Sequence, residues 1–305
     1  MRRLAAALVA VVALAGCSAE PGRAGDPEPG TAAAAASSTT AAGGPVLPEP
    51  GQRPVAAQDP DGLARQLAAA LDVLARPGRP IEEVVSAGHL QQVAVTALAS
   101  RPDWDAAVAE RLPPPQRLAV ATDVGAVREL QALVRQPRST LPAWRIERPP
   151  AAEDLRAWYA EAEAATGVPW SLLAAVHLVE TRMSRIDGDS SAGAQGPMQF
   201  LPSTWSEYGA GGDIHDDRDA IVGAARFLAA SGAREDPYRA LLRYNPTAHY
   251  ALAVAAFAGR MAADERAFAG YHGWEVHYRT TLGDVWLRAG YEADEERPVT
   301  PDDLR

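Results

Sequence analysis

The chain has 305 residues, a formal charge of −10 and a single cysteine. That length is enough for one or two domains with a sizeable core. An acidic body without a basic patch argues against nucleic acid and against broad electrostatic adhesion to membranes. One cysteine excludes an internal disulfide.

At the start, Arg2 and Arg3 precede an apolar run from Leu4 to Ala15, too short to span a bilayer as a final anchor. Leu14-Ala15-Gly16-Cys17 resembles a bacterial lipoprotein signal. The resemblance implies cleavage after residue 16, a diacylglyceryl group on Cys17 and work outside the cytoplasm at the membrane facing the wall. A plain secretory signal is the alternative. Residues 17–58 are rich in Pro, Gly, Ala, Ser and Thr and read as a disordered tether. About 40 such residues reach roughly 35 Å.

From 59 to 136 the pattern is helical and alanine-rich, interrupted at Pro77-Gly78, Pro102 and Pro113-Pro114-Pro115. Leu63, Leu67, Leu71 and Leu74 form one apolar stripe. This reads as a small helical subdomain to which no motif assigns a function. Residues 137–150 read as a connector, and 151–290 as the main, mostly helical domain. Near its end, the alternation in Trp274–Arg279 and Asp284–Leu287 around Gly283 predicts a hairpin. Residues 291–305 read as a frayed acidic tail.

Within the main domain, Gly167-Val168-Pro169-Trp170 marks a helix stop followed by a helix start. The next run, Leu172 to Glu180, is apolar and helix-forming. Leu173, Val176 and Glu180 fall on one face, so the carboxylate lies in line with an apolar stripe. Partial desolvation there raises a carboxyl pKa. The blander alternative pairs Glu180, at the helix end, with Arg182 or Arg185. Downstream, Asp187–Gly196 has no periodicity, and its glycines permit close backbone approach. Gly196-Pro197-Met198-Gln199 leads to Pro202, which opens a short helix ending near Gly209. Asp219–Leu228 reads as an amphipathic helix, and Tyr244-Asn245 follow.

Glu180 with the threonine after it, Gly-Pro-Met-Gln at 196–199, and Tyr244-Asn245, in that order, resemble the lysozyme-like lytic transglycosylases, most closely the membrane-bound subfamily with Gly-Pro-Met-Gln. The likeness covers roughly residues 150–260. It implies a mainly α, lysozyme-like catalytic domain of goose-type or soluble lytic transglycosylase-like form, with the N-terminal helical subdomain and small C-terminal β-hairpin beside it. It also implies cleavage of the MurNAc-GlcNAc β-1,4 bond of peptidoglycan. Glu180 would be general acid and then base. Ser190, Met198, Gln199, Tyr244, Asn245 and Tyr250 would be substrate-binding. Two departures stand out: Arg243 replaces the alanine of the family's Ala-Tyr-Asn, and Phe227 stands where many relatives have tyrosine.

Ordinary glycosidases use two carboxylates. Here one is well placed, and Asp187 and Asp189 lie in a polar loop where a solvated role is expected. A single carboxylate suffices when the nucleophile is the substrate's own C6 hydroxyl, which gives a 1,6-anhydro end. A hydrolytic muramidase on the same fold and a wall-binding protein with a dead site are the rivals. No cofactor is expected. Asp213, His215, Asp216, Asp217 and Asp219 crowd one segment but lack the Asp-x-Asp-x-Asp-Gly order, so no calcium site is expected. The expected partners are the glycan strands and, through Cys17, the membrane.

Overall fold

The computed structural model describes residues 47–134 and 136–305; the expected signal sequence, Cys17 and most of the expected tether lie outside these residues. Helix α1, Pro60–Leu74, opens on Asp59, whose side chain accepts the Gly62 N–H, with Pro60 in the first turn. Helix α2 is Ile81–Ala99, and a 3₁₀ turn at Pro102–Trp104 runs into α3, Asp105–Arg111. Helix α4 is Pro114–Leu133. The breaks fall at the expected prolines, and the four leucines of the α1 stripe are buried.

Strands β1, Thr140–Leu141, and β2, Arg145–Ile146, lead to α5, Ala152–Thr166. Helix α5 ends on Gly167 in the left-handed conformation, φ +73°. Helix α6, Trp170–Thr181, carries Glu180, and strand β3 is Ile186–Asp187. Four helices follow: α7, Pro202–Tyr208; α8, Asp217–Ala230; α9, Pro237–Tyr244; and α10, Ala248–Ala263. The chain closes with α11, Arg266–His272, the hairpin β4, Val276–Thr280, with β5, Gly283–Leu287, and strand β6, Arg297–Pro298. The architecture is mainly helical and consistent with a lysozyme-like fold.

Helix α6 is buried from Ser171 to Thr181. A helix that is apolar all round belongs inside a core, and here α10, α5, α8 and α11 surround it. Glu180 therefore owes its burial to a central helix, more than to the single stripe read from the sequence. Helices α1–α4 belong to the same core. Helix α4 lies along α10 and α2 against α11, and Leu63, Leu98 and Leu130 share one cluster with Leu173, Phe257 and Trp274. Each such side chain contributes roughly 1.5–3 kcal/mol on burial. A buried polar tie crosses the same seam: Asp123 of α4 accepts Gln91 Nε2 of α2 at 2.9 Å and Tyr271 Oη of α11 at 2.5 Å.

The hairpin forms as expected, pairing Val276 with Leu287 through to Thr280 with Gly283. Two other expectations change. The segment read as a connector supplies β1 and β2. The segment read as a frayed tail is stitched to it: β6 pairs antiparallel with β1, Tyr291 donates its hydroxyl to Pro142 O at 2.7 Å, and Arg53 donates to Leu304 O at 3.0 Å. Two-residue strands are too short to leave an alternating pattern, so the sequence carried no sign of them. Strand β2 also pairs with β3, Arg145 opposite Asp187 and Ile146 opposite Ile186. That ribbon fixes the chain as it leaves α6.

Candidate functional site

Glu180 lies in the last turn of α6 and is 2% exposed. Its Oε1 accepts the Tyr250 hydroxyl at 2.6 Å, while its buried Oε2 has no hydrogen-bond partner. The alternative ion pairs do not form. Arg182 turns its guanidinium onto Leu178 O at 2.5 Å, and Arg185 goes to His272 O at 2.9 Å and Glu275 at 3.4 Å. Burial pushes the Glu180 carboxyl up to about 8, and the Tyr250 hydrogen bond pulls only partly against it. At neutral pH the group is protonated, Oε1 accepting from Tyr250 and Oε2 left as a buried donor.

Helix α6 stops abruptly. Arg182, Met183 and Ser184 follow in succession with φ of 57°, 57° and 68°. Left-handed backbone costs a non-glycine residue roughly 1–2 kcal/mol, so neighbours must hold the turn in place. Arg182 and Met183 donate their N–H groups back to Leu178 O and His177 O, each at 3.2 Å. The Ser184 N–H goes to Thr181 Oγ1, also at 3.2 Å.

Thr181 links helix to loop by donating its hydroxyl to Pro197 O at 2.6 Å. The loop itself is pinched by a two-way backbone bridge between Gln195 and Phe200. Gly196 has φ +70°, and a Cβ there would lie 1.9 Å from Ile214 O, so only glycine fits. Met198 is fully buried. Gln199, with φ +50°, spends its amide NH₂ on Gly188 O at 3.2 Å and Gly196 O at 3.0 Å. Its side chain thus braces the loop.

The other wall comes from α9 and α10. Thr247 caps α10 and so sets Tyr250 in its first turn. Tyr244 donates its hydroxyl to Met198 O at 2.6 Å and lies parallel to Tyr250, with ring centroids 6.4 Å apart. Both phenols are pushed well up, by burial first and then by the Glu180 carboxyl, and stay protonated. The contacts close a ring: Glu180 to Tyr250, Tyr250 on Tyr244, Tyr244 to Met198, Pro197 to Thr181 and back to Glu180. Phe227 packs edge-on against Tyr244, while Arg243 is exposed.

Two expected site residues serve their own turns. Ser190 is buried, and its Oγ accepts the N–H groups of Ala192 at 3.3 Å and Ala194 at 3.0 Å; it makes no hydrogen bond to Glu180. Asn245 is buried, and its Oδ1 accepts the Thr247 hydroxyl at 3.0 Å. Asp187 and Asp189 are exposed, near Arg145 at 3.8 Å and Gln195 at 3.3 Å respectively. Asp213 and Asp216 accept backbone N–H groups of His215 and Asp219, and Asp219 accepts that of Asp213. Among the described residues no group of three or more potential ligands is placed to hold a metal ion.

Part of the chain has a recognisable counterpart. Over 82 residues the chain is 35% identical to membrane-bound lytic murein transglycosylase F of Thiobacillus denitrificans (strain ATCC 25259 / T1), a match covering 27% of this chain. The chain spans only 17% of that relative's length. No family model and no solved structure matches the chain. The likeness to transglycosylase F supports a lytic transglycosylase relationship at that coarse level.

Sequence reasoning missed the bond from Thr181 to Pro197 and the polar chain beneath it. In that chain His177 is buried and bonded to Tyr159 Oη at 2.8 Å and Ser184 Oγ at 2.7 Å. The threonine after the glutamate was visible as part of a motif, but its partner across the loop was not.

Proposed function

We propose that this chain is a lytic transglycosylase acting on peptidoglycan, with Glu180 as acid and then base. The observation that carries the reading is the buried Glu180 carboxyl with one oxygen held by Tyr250 and the other unpartnered. Its pKa of about 8 keeps it protonated at neutral pH. The partial likeness to transglycosylase F supports the same reading.

In this mechanism Glu180 Oε2 gives its proton to the glycosidic oxygen as the C1–O bond of MurNAc breaks. The C6 hydroxyl of the same sugar then attacks C1, and its proton passes to the Glu180 carboxylate, restoring the acid. No water is consumed, and the product ends in 1,6-anhydro-MurNAc. Proton transfer of this kind contributes roughly 10²–10⁴-fold. Attack within one sugar gains further from positioning. Tyr244, Tyr250, Met198, Gln199, Ser190 and Asn245 would shape the glycan-facing walls. Cys17 would carry a lipid that keeps the enzyme at the membrane.

Digestion of purified wall followed by borohydride reduction and mass spectrometry tests the reading. Anhydro ends that resist reduction are expected. Reducible muramic ends would point to a hydrolytic muramidase, and no cleavage at all to a wall-binding protein.

A further inference from the structure

Beneath the acid runs a hydrogen-bond chain that the reaction does not use. Tyr159 Oη lies 2.8 Å from His177 Nδ1, and His177 Nε2 lies 2.7 Å from Ser184 Oγ. The Ser184 hydroxyl donates to Asp217 Oδ1. Ser184 has one hydroxyl proton and gives it to Asp217, so it must accept from His177. His177 is then the Nε2–H tautomer, and its Nδ1 accepts from Tyr159. Every link carries one proton, and all point toward the carboxylate on α8. Burial holds the His177 pKa down to about 3, so the imidazole is neutral, as this polarity requires.

The chain ends on the strained turn. Ser184 is the third left-handed residue after α6, and its N–H holds Thr181 Oγ1 at 3.2 Å. With that acceptor site filled, the Thr181 proton is directed at Pro197 O. Pro197 adjoins Met198, whose carbonyl anchors Tyr244 against Tyr250 and so faces Glu180. Asp217 and His177 thus restrain, through Ser184, both the end of the acid's helix and the loop closing over it.

We propose that Ser184, held by His177 and Asp217, is a positioning residue for Glu180: it fixes the left-handed turn that seats Thr181 on Pro197 and keeps the acid dry. The proposal rests on Glu180 being the reacting acid. It places no atom of Ser184, His177 or Asp217 on the substrate.

The test compares Ser184→Ala, Ser184→Gly and Ser184→Asn in the full chain. Glycine adopts the left-handed turn without strain but has no hydroxyl. Asparagine tolerates the turn and offers both an acceptor for His177 and a donor for Asp217. The deciding readout is Glu180 titration, followed by NMR of ¹³C-labelled glutamate carboxyls and assigned with Glu180→Gln. Alanine and glycine should admit water and lower the Glu180 pKa by about one unit or more, and asparagine should restore it. In wall digestion kcat should fall roughly 10- to 100-fold for alanine and glycine with KM little changed, and recover with asparagine. A merely structural serine would leave Ser184→Gly with the wild-type Glu180 titration, and that result overturns the proposal. If the wild-type chain releases no anhydro ends, the proposed function fails, while the titration still decides the positioning role. Should Ser184→Ala not fold, the glycine and asparagine pair carries the comparison.

Discussion

Tyr250 donates its hydroxyl to Glu180 Oε1 at 2.6 Å, and this leaves Oε2 as the carboxyl oxygen without a hydrogen-bond partner. It opposes the upward push of burial on the Glu180 pKa. Tyr250→Phe leaves Oε1 buried without a donor, which costs about 1–3 kcal/mol of stability. The pKa should rise, so the alkaline fall of wall-cleaving activity, expected near the Glu180 value, should move to higher pH. Activity below that limb should drop because either oxygen can then carry the proton. A pH profile with an unmoved limb would remove Tyr250 from the control of the acid.

Glu180→Gln separates chemistry from stability. Glu180 has a raised folded pKa, about 8 against an ordinary 4.5. Its contribution to stability is therefore present below about pH 4.5 and is lost as pH rises through about 8. At pH 7 the buried acid costs the fold about 3 kcal/mol relative to low pH. The amide keeps an acceptor for Tyr250 and does not ionise, so between pH 4.5 and pH 8 the variant should gain about 4 kcal/mol of stability relative to wild type. It should release no anhydro ends. Urea denaturation at pH 8 and at pH 4.5 checks the sign, since the advantage must shrink at the lower pH.

A histidine pair works in the other direction. His89 of α2 and His277 of β4 share a hydrogen bond, Nε2 to Nε2 at 2.8 Å, where the hairpin meets the helical layer. Burial, together with nearby cationic groups, holds His89 down to about 2 and His277 to about 3, against an ordinary 6.5. Each is neutral when folded and charged when unfolded over that interval, so stability falls as pH drops below about 6.5. One such group changes the slope by about 1.4 kcal/mol per pH unit. His89→Gln, which still offers His277 a partner, should flatten the dependence between pH 6 and pH 4 by about that amount. Urea midpoints measured across the interval would show it; an unchanged slope would mean that His89 titrates normally in the fold.

These cases mark how much could be read ahead of the structure. Helix ends were legible because Pro102, Pro114, Gly167 and Pro202 act through local backbone rules, and each sits at an element boundary. Glu180, Tyr244 and Tyr250 were legible as types in a fixed order. Their joining was not, because Tyr250 lies 70 residues from Glu180 and no local rule spans that gap. The left-handed run at Arg182, Met183 and Ser184 has no sequence signature, since none of the three is glycine or asparagine. Ser190 and Asn245 were expected to face substrate; their oxygens cap local turns. Arg243, the departure from the resembled motif, is exposed, so it leaves the buried wall intact.

The loop's glycine offers the sharpest steric test. Gly196 sits at φ +70° with Ile214 O where a Cβ would be, and it precedes the two carbonyls held by Thr181 and Tyr244. Gly196→Ala must move either the loop or the Ile214 segment, because both obstacles are backbone. A shift of about 1 Å at the neighbouring Met198 is enough to cost roughly 100-fold in rate. Stability should fall by about 1–3 kcal/mol, since the core beneath the loop is untouched. By contrast, Gly193→Ala meets no atom within 4 Å at φ +77°, so it imposes backbone strain alone. Wall digestion by the two variants should therefore differ widely while their thermal midpoints lie close. Equal activities would mean that the Pro197–Met198 carbonyls do not position the site.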